Sequence, residues 1–455
     1  MGRTIILGAG LAGLSASYHL GHGNCLLLER NSHPYGHIKS ETGGGFTWDE
    51  GPHVSFTRHD YVKQLFAESV QGEFEQFEVK LGNYYRGHWI DHPAQIALFQ
   101  VPEPLRAQCL ESFRKSRRTA PEQLQPPADY QEWIERAFGQ VFANTFPAAY
   151  TRKYWTREPR DLGVDWLGGR VHYPTIEDVE VGAVGPLGRK TNYITTVRYP
   201  RQGGYESFAH KLAAGANIQC SATVVKVDLQ ARTVRLSSGA VHAFDRLVCT
   251  LPLPVFVGLC AEVPTAVREA ASALECSQLL LVNITAAHAA RRPETWFYVY
   301  DEDKLSTRIN FTEHMAQGNA PTNTTGIQTE VYASRTRPFP HGRDKLASMV
   351  KEELADMGLV EPAAVTSVQT VAVPWANVIF HHQTKPALAV IWNWLERYGL
   401  TRETDDLHPL TEWGAKDSEQ VALGALAFAG RFGQWKYYWT DDCVLRGRCL
   451  ARFAS

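Results

Sequence analysis

The hydrophobic pattern at the start of the chain predicts a β-strand, an α-helix and a second β-strand. An apolar run, Thr4 to Leu7, is followed by a glycine turn, a helix-patterned stretch that ends at Leu20, and a second apolar run, Cys25 to Leu28. Short apolar runs bounded by turn residues are typical of buried strands in a parallel sheet. The pattern therefore predicts a βαβ unit and an α/β fold class.

Beyond this unit, strand-like and helix-like regions alternate. Helical spacing dominates between Pro102 and Leu167, and a last apolar run, Gly424 to Gly430, precedes a helical pattern that ends at Phe453. Strand patterns occur at 84–93, 221–228, 233–236, 244–252, 279–285, 295–299, 306–311 and 329–333. The predicted domains are a discontinuous Rossmann-type nucleotide-binding domain (1–80, 200–275 and 420–455), a mainly helical insertion with substrate contacts (81–199), and a substrate domain with a mixed or antiparallel sheet (276–419).

Length and charge narrow the class of protein. At 455 residues the chain exceeds what one hydrophobic core normally supports. The 46 basic and 48 acidic side chains nearly balance, which argues against nucleic-acid or anionic-membrane binding. The eight cysteines form no Cys-x-x-Cys pair, and the sequence has neither a signal-peptide pattern nor an apolar run long enough to span a membrane. We expect a cytoplasmic protein with a small-molecule partner, and leave open whether it forms a homo-oligomer.

Three glycines lie between the first strand and the first helix at the spacing of a dinucleotide site. Gly8 permits a tight turn, Gly10 lets backbone N–H groups approach a pyrophosphate, and Gly13 lets the helix pack closely on the strand. Leu11 and Ala12 begin the helix, whose N-terminus favours an anion. The motif therefore predicts a bound dinucleotide.

An acidic residue, Glu29, ends the second strand about twenty residues after the glycines. A carboxylate at this position accepts hydrogen bonds from the ribose hydroxyls of a bound dinucleotide. Glu29 and the adjacent Arg30 are therefore candidate cofactor-binding residues.

The segment Gly43 to Phe56, which contains Asp49-Glu50-Gly51-Pro52-His53, resembles UDP-galactopyranose mutase, within the larger flavoprotein group of amine oxidases and protoporphyrinogen oxidase. The resemblance implies FAD rather than NAD as the cofactor, with NADPH or NADH as a candidate reductant. It implies that His53 lies against the isoalloxazine ring and that Gly36 and Gly51 line the flavin site. Val225 is the candidate for backbone contact with the adenine; an ordinary core valine is the alternative.

The C-terminal segment Gly430 to Tyr437 also resembles the mutase family. The resemblance implies that Arg431 lies near the flavin and the substrate phosphate, and that Tyr437 binds the diphosphate. It implies that Asp441 holds the ribityl chain or the pyrimidine of the flavin, with a helix N-cap as the alternative. A guanidinium can also donate a bidentate pair of hydrogen bonds to phosphate oxygens.

Two further arginines match the family pattern. Trp166-Leu-Gly-Gly-Arg170-Val and Ser306-Thr-Arg308-Ile-Asn-Phe are similar to segments that carry diphosphate-binding arginines. The resemblance implies that Arg170, Arg308 and Arg431 converge on one anion. We predict no metal site, because no set of ligand residues has suitable spacing.

The resemblance implies a redox-neutral reaction on a nucleotide-linked sugar, in which the N5 atom of reduced flavin attacks the anomeric carbon and the sugar ring changes size. The chain departs from the family where Val378 to His382 replaces a Tyr-Pro segment. Two alternatives therefore stay open. One is an oxidase or dehydrogenase of the amine-oxidase type, with Trp375, Trp392, Trp394 and Trp439 lining its pocket, and the other is a flavin-bearing scaffold without turnover.

Overall fold

The computed structural model describes residues 3–118, 125–167, 171–188, 196–400 and 424–452. The strands are β1 Thr4–Leu7, β2 Cys25–Leu28, β3 Ser40–Gly43, β4 Phe46–Asp49, β5 Phe74–Glu78, β6 Leu81–Tyr85, β7 His88–Asp91, β8 Thr196–Pro200, β9 Ile218–Gln219, β10 Val224–Asp228, β11 Thr233–Leu236, β12 Val241–Ala243, β13 Arg246–Cys249, β14 Glu275–Ala286, β15 Trp296–Val299, β16 Arg308–Phe311, β17 Thr325–Ala333, β18 Val365–Ile379 and β19 Leu426–Phe428.

The helices are α1 Leu11–Leu20, α2 Asp60–Ser69, α3 Leu105–Ser116, α4 Tyr130–Phe138, α5 Gln140–Thr145, α6 Pro147–Tyr154, α7 Ile176–Gly182, α8 His210–Ala213, α9 Leu253–Leu259, α10 Thr265–Ala273, α11 Arg343–Asp356, α12 Thr384–Glu396 and α13 Thr440–Arg452. None of these helices is long and apolar enough to cross a membrane.

A five-stranded parallel sheet forms the nucleotide-binding region, in the order β19-β13-β1-β2-β9. Its central strand β1 is fully buried, as the continuous apolar run predicted. Helix α13 packs on α1 so closely that a Cβ on Gly447 would lie 2.5 Å from the backbone carbon of Ser15. The chain thus returns to its own N-terminal unit through β13, β19 and α13.

A seven-stranded mixed sheet forms the second layer, in the order β18-β14-β17-β16-β15-β6-β7. Neighbouring strands are antiparallel except for the pair β15 and β6. Helix α11 covers one face and packs Leu346, Val350 and Leu354 against the sheet. Strand β6, from the start of the region 81–199, pairs with β15 from 276–419, and β7 extends the sheet by pairing with β6. The domain boundaries remain a proposal.

Helices α3 to α6 lie within the region 102–167 for which helical spacing was predicted, and α7 follows it. Their apolar side chains, among them Phe113, Ile134 and Phe142, join the large core cluster that also contains residues of β13, α9 and α12. The mixed α/β class with a parallel sheet and a mixed sheet confirms the predicted fold class.

We expect Gly13→Ala to destabilise the protein by about 1 to 3 kcal/mol, because overpacking a close backbone contact forces the helix away from the strand. A Cβ on Gly13 would lie 2.0 Å from the carbonyl oxygen of Gly8, whereas a Cβ on Gly10 meets nothing nearer than 3.6 Å. Urea unfolding of protein freed of bound nucleotide measures the loss, with Gly10→Ala as the matched control. Equal stability of the two variants would contradict the packing argument.

Candidate functional site

The turn between β1 and α1 has the geometry of an anion site. Gly8 has φ +95°, and a Cβ there would lie 2.4 Å from the hydroxyl oxygen of Thr250, so only glycine fits. Helix α1 has no side-chain cap at Gly10 and no acidic residue in its first turn. The backbone N–H groups at Leu11 and Ala12 thus begin a helix whose N-terminus is open to an anion. These features fit the pyrophosphate of a dinucleotide.

The Glu29 carboxylate lies buried at the end of β2. One carboxylate oxygen accepts a hydrogen bond from the Ala9 N–H at 2.9 Å, and the other accepts one from the Asn31 N–H at 2.9 Å. Glu29 therefore ties the glycine turn to the end of β2 and keeps lone pairs for further donors. The neighbouring Arg30 is exposed. A ribose contact by either residue remains a prediction.

Two predicted flavin-site glycines also allow close backbone approach. Gly36, with φ +56°, would place a Cβ 3.0 Å from the Cα of Gly10, so this turn lies directly against the glycine motif. Gly51, with φ +89°, would place a Cβ 3.2 Å from a carboxylate oxygen of Glu330. The segment from Gly36 to Gly51 therefore lies against both the glycine turn before α1 and strand β17 of the mixed sheet.

Val225 is 47% exposed, which argues against a core role. It lies at a register shift between β10 and β11, where Val224 and Lys226 pair with β11 and Val225 does not. Ala222, three residues earlier, donates its N–H to the Glu29 carbonyl oxygen at 2.8 Å. This segment therefore lies beside the end of β2, and the adenine contact stays a prediction.

The C-terminal return brings Gly430 against α1. Gly430 has φ +84°, and its Cβ would lie 3.0 Å from the Cβ of Ala12. Helix α13 begins at Thr440, so Asp441 lies inside its first turn rather than at the cap, and Asp442 accepts the Trp439 N–H at 2.8 Å.

A group of side chains beside His53 keeps intermediate exposure, and it includes Arg308, Arg431 and several tyrosines. The space that these side chains face is called the chamber. The charges of Arg308 and Arg431 both act on His53 and on Tyr154. These two predicted site arginines therefore come together. Arg170, the third, lies outside the described residues.

Arg308 is held by a buried carboxylate that the sequence analysis missed. Its Nε and Nη2 atoms donate to the two oxygens of Glu330 at 2.8 and 2.6 Å, and the Tyr332 hydroxyl donates to the same carboxylate at 2.9 Å. Burial alone would lower the pKa of Arg308, but the charge and hydrogen bonds of Glu330 and the nearby Tyr332 and Tyr154 together raise it well above its usual value. Three of the five guanidinium N–H groups make no hydrogen bond to the described residues.

Arg431 is oriented by neutral acceptors instead. Its Nε and Nη2 atoms donate to the Tyr438 carbonyl at 2.9 and 2.6 Å, and Nη1 donates to Asn377 at 3.1 Å. The guanidinium lies 5.2 Å from the ring centroid of Tyr437. No carboxylate of the described residues forms an ion pair with it, and two N–H groups are left for a ligand.

Tyrosines form much of the chamber wall. Tyr150 and Tyr154 stack with ring centroids 5.5 Å apart, and they meet Tyr298 and Tyr332 at 5.4 and 4.8 Å. Burial raises the pKa of all four hydroxyls, so they stay neutral donors. The sequence analysis missed this wall, although two signals could have found it: tyrosines four residues apart in one helix, and a single acid, Glu330, in the otherwise uncharged strand β17.

The tryptophans of the oxidase alternative do not form one pocket. Trp392 and Trp394 are buried in α12 and pack on Phe428 and Tyr398. Only Trp375 and Trp439 keep intermediate exposure. Trp392 and Trp394 belong to the apolar face of α12, which packs the helix into the core and is not available to a ligand.

We expect the contribution of His53 to stability to fall as the pH drops from about 6.5 to about 4. Burial lowers the pKa of His53 to about 4, below its usual value of 6.5, so the unfolded chain binds the proton more readily in this interval. The difference amounts to about 3 kcal/mol at most. Urea unfolding at both pH values should show a smaller acid loss in His53→Gln. The exposed His88→Gln is the control, and equal losses in both variants would contradict the prediction.

Solved structures share this fold over nearly the whole chain. A reduced UDP-galactopyranose mutase has 21% identity and a TM-score of 0.86, with 99% of this chain and 95% of that chain covered. A protein described as a protoporphyrinogen oxidase from Exiguobacterium sp. 255-15 has 14% identity and a TM-score of 0.70, with 99% and 97% covered. A CLA-producing fatty acid isomerase from P. acnes has 13% identity and a TM-score of 0.63, with 100% and 99% covered.

The family model described as flavin containing amine oxidoreductase matches residues 11–451. This match runs from the first residue of α1 to the C-terminal helix α13 that packs on it. The dinucleotide whose pyrophosphate fits the glycine turn before α1 is FAD. The chain therefore belongs to the flavin containing amine oxidoreductase family and is an FAD-dependent enzyme.

Proposed function

We propose that this enzyme isomerises the ring of a nucleotide-linked sugar without net oxidation. Reduced FAD would supply a nucleophilic N5 atom for attack at the anomeric carbon. The observation that carries the proposal is the meeting of Arg308 and Arg431 at one chamber beside His53. A diphosphate leaving group needs donors of this kind, because its negative charge increases as the bond to the sugar breaks.

The two arginines would divide the work of binding. Arg431 has no carboxylate partner among the described residues, so its charge is available to a phosphate oxygen. Arg308 is held rigidly by Glu330 and would donate its remaining N–H groups without reorganisation. Preorganised donors of this type stabilise developing charge with little loss on binding.

The remaining groups would orient the sugar and keep protons in place. The hydroxyls of Tyr150 and Tyr154 are neutral donors and acceptors that suit phosphate or sugar oxygens. His53 is neutral at pH 7, because burial lowers its pKa to about 4. It would therefore add no positive charge beside a reduced flavin. Arg170 is proposed to complete the diphosphate site.

A second candidate function is an FAD oxidase or dehydrogenase acting on a small neutral molecule or amine. The observation that favours it is the Arg308–Glu330 pair, because Glu330 cancels the charge of one of the two arginines in the described chamber. The phenol rings would then bind an apolar or cationic substrate. A flavin scaffold without turnover is less favoured, because the chamber walls keep intermediate exposure.

The deciding experiment compares the two oxidation states of the flavin. The purified enzyme is reduced with dithionite without oxygen, then mixed with UDP-, GDP- and dTDP-sugars, and the products are separated by chromatography. We expect a ring-isomerised sugar from the reduced enzyme and none from the oxidised enzyme. Bleaching of the oxidised flavin by amines, with no nucleotide sugar bound, would replace this function with the oxidase.

We expect Arg431→Ala to weaken the binding of UDP or of the sugar nucleotide by about 1.5 to 3 kcal/mol, because a charged hydrogen-bond donor is lost. The flavin content should stay near normal. Titration of flavin absorbance measures both quantities, and the exposed Arg58→Ala is the control. Unchanged affinity in Arg431→Ala would remove this residue from the site.

A further inference from the structure

The segment between β15 and β16 leads directly into Arg308. Ser306, two residues before the arginine, is fully buried. Val299 donates its N–H to the Thr307 carbonyl at 3.0 Å, and Thr307 donates its N–H to the Glu330 carbonyl at 2.9 Å. These hydrogen bonds therefore fix the backbone position from which the Arg308 side chain extends.

A buried lysine of α6 holds this segment from one side. The ammonium of Lys153 donates to the carbonyl oxygens of Val299, Asp301 and Ser306 at 2.9, 2.8 and 2.7 Å. All three ammonium donors are thus used on backbone, and none is left for a ligand. Lys153 lies in the same helix as Tyr150 and directly precedes Tyr154, so it joins the tyrosine wall to the segment before Arg308.

A buried glutamate of α11 holds the same segment from the other side. One carboxylate oxygen of Glu353 accepts the Leu305 N–H at 2.6 Å. The other accepts the Ser306 N–H at 3.0 Å and the Ser306 hydroxyl at 2.6 Å. Lys153 and Glu353 therefore bind the same residue, Ser306, through its carbonyl and through its N–H and hydroxyl.

We propose that Lys153 and Glu353 form a clasp that fixes Arg308 relative to the tyrosines of α6. Both are positioning residues, since they act through the backbone of 299–308 and through Arg308. The inference deepens the proposed function, and its anion-binding part rests on that function. This proposal gives a function to Lys153 and Glu353, two buried charged side chains that contact neither Glu330 nor Arg431.

The physical reason is geometric. A bidentate donor such as Arg308 loses effect when its position shifts by a fraction of an ångström. The clasp is satisfied internally, since an ammonium meets three acceptors and a carboxylate meets three donors. Removing either partner leaves buried backbone groups unpaired, which loosens the segment.

The first test needs no ligand. Hydrogen–deuterium exchange is followed by mass spectrometry on the FAD-loaded protein, in peptides that cover 299–308. We expect Lys153→Met to accelerate amide exchange in these peptides by about tenfold. In this variant the segment can open locally without breaking three hydrogen bonds from Lys153 to its carbonyl oxygens. Glu353→Gln is the milder second variant, since its amide NH2 cannot accept the N–H groups of Leu305 or Ser306.

Arg152→Met is the matched control on the same helix. Arg152 pairs with the side chain of Glu302 in the same segment, at 2.6 Å, but does not bond to its backbone. Exchange in 299–308 should stay at the wild-type rate in this variant. Wild-type rates in both Lys153→Met and Glu353→Gln would overturn the clasp. Equal acceleration over the whole molecule in both would also overturn it, since no local restraint would then exist.

The second test compares UDP with uridine in the oxidised FAD enzyme. We expect Lys153→Met to weaken UDP binding about tenfold while uridine changes less than about twofold, because only the diphosphate would meet Arg308. Turnover of the sugar nucleotide by the reduced Lys153→Met enzyme should show a raised KM with a smaller change in kcat. Equal weakening of both ligands would overturn the link to Arg308. If the wild type binds neither UDP nor uridine, the same comparison is made with GDP and guanosine and with dTDP and thymidine. Binding of none of these ligands would make the proposed function fail, and the exchange measurement would still decide the clasp.

Discussion

The close contact between α1 and β1 is the constraint on which the rest of the structure depends. Gly13 faces the carbonyl of Gly8 with no room for a Cβ, and Gly8 faces the hydroxyl of Thr250 in the same way. This packing leaves the N-terminus of α1 open at the edge of the parallel sheet. Every later return of the chain, through β13, β19 and α13, adds to this unit. The nucleotide-binding region is therefore assembled from distant segments around one tightly packed turn.

The electrostatic character of the chamber depends on how its two arginines are paired. A buried guanidinium is costly unless it is paired and hydrogen-bonded, and Glu330 meets that need for Arg308. Arg431 is satisfied by a carbonyl and an amide, so it keeps its net charge. The two arginines thus differ in the field they offer a ligand, although both carry the same side chain. Because of this difference, Arg431 favours an anionic substrate, whereas the neutralised Arg308 is also compatible with an uncharged one.

Much of the fold could be predicted, because its signals are local. The apolar runs that became β1 and β2, the glycine turn, and the strand patterns of β14 to β17 follow from periodicity and turn residues. The site could be predicted only in part. Arg308 and Arg431 came from family resemblance, whereas Glu330, Tyr150 and Lys153 were missed. Their partners lie far away in the chain, and no local spacing relates an acid in β17 to an arginine in β16.

The sequence by itself determined the dinucleotide turn and the α/β class, because glycine spacing and strand periodicity act over short stretches of chain. The flavin family came from the resemblance of two segments, Gly43 to Phe56 and Gly430 to Tyr437, to a known family. Only the tertiary structure decided which charges meet. It paired Arg308 with Glu330, oriented Arg431 by Asn377, and brought Lys153 and Glu353 to Ser306 from two separate helices. It also placed Trp392 and Trp394, which the oxidase alternative assigned to a pocket, in the core. Such contacts depend on sheet register and helix packing, which no short segment contains.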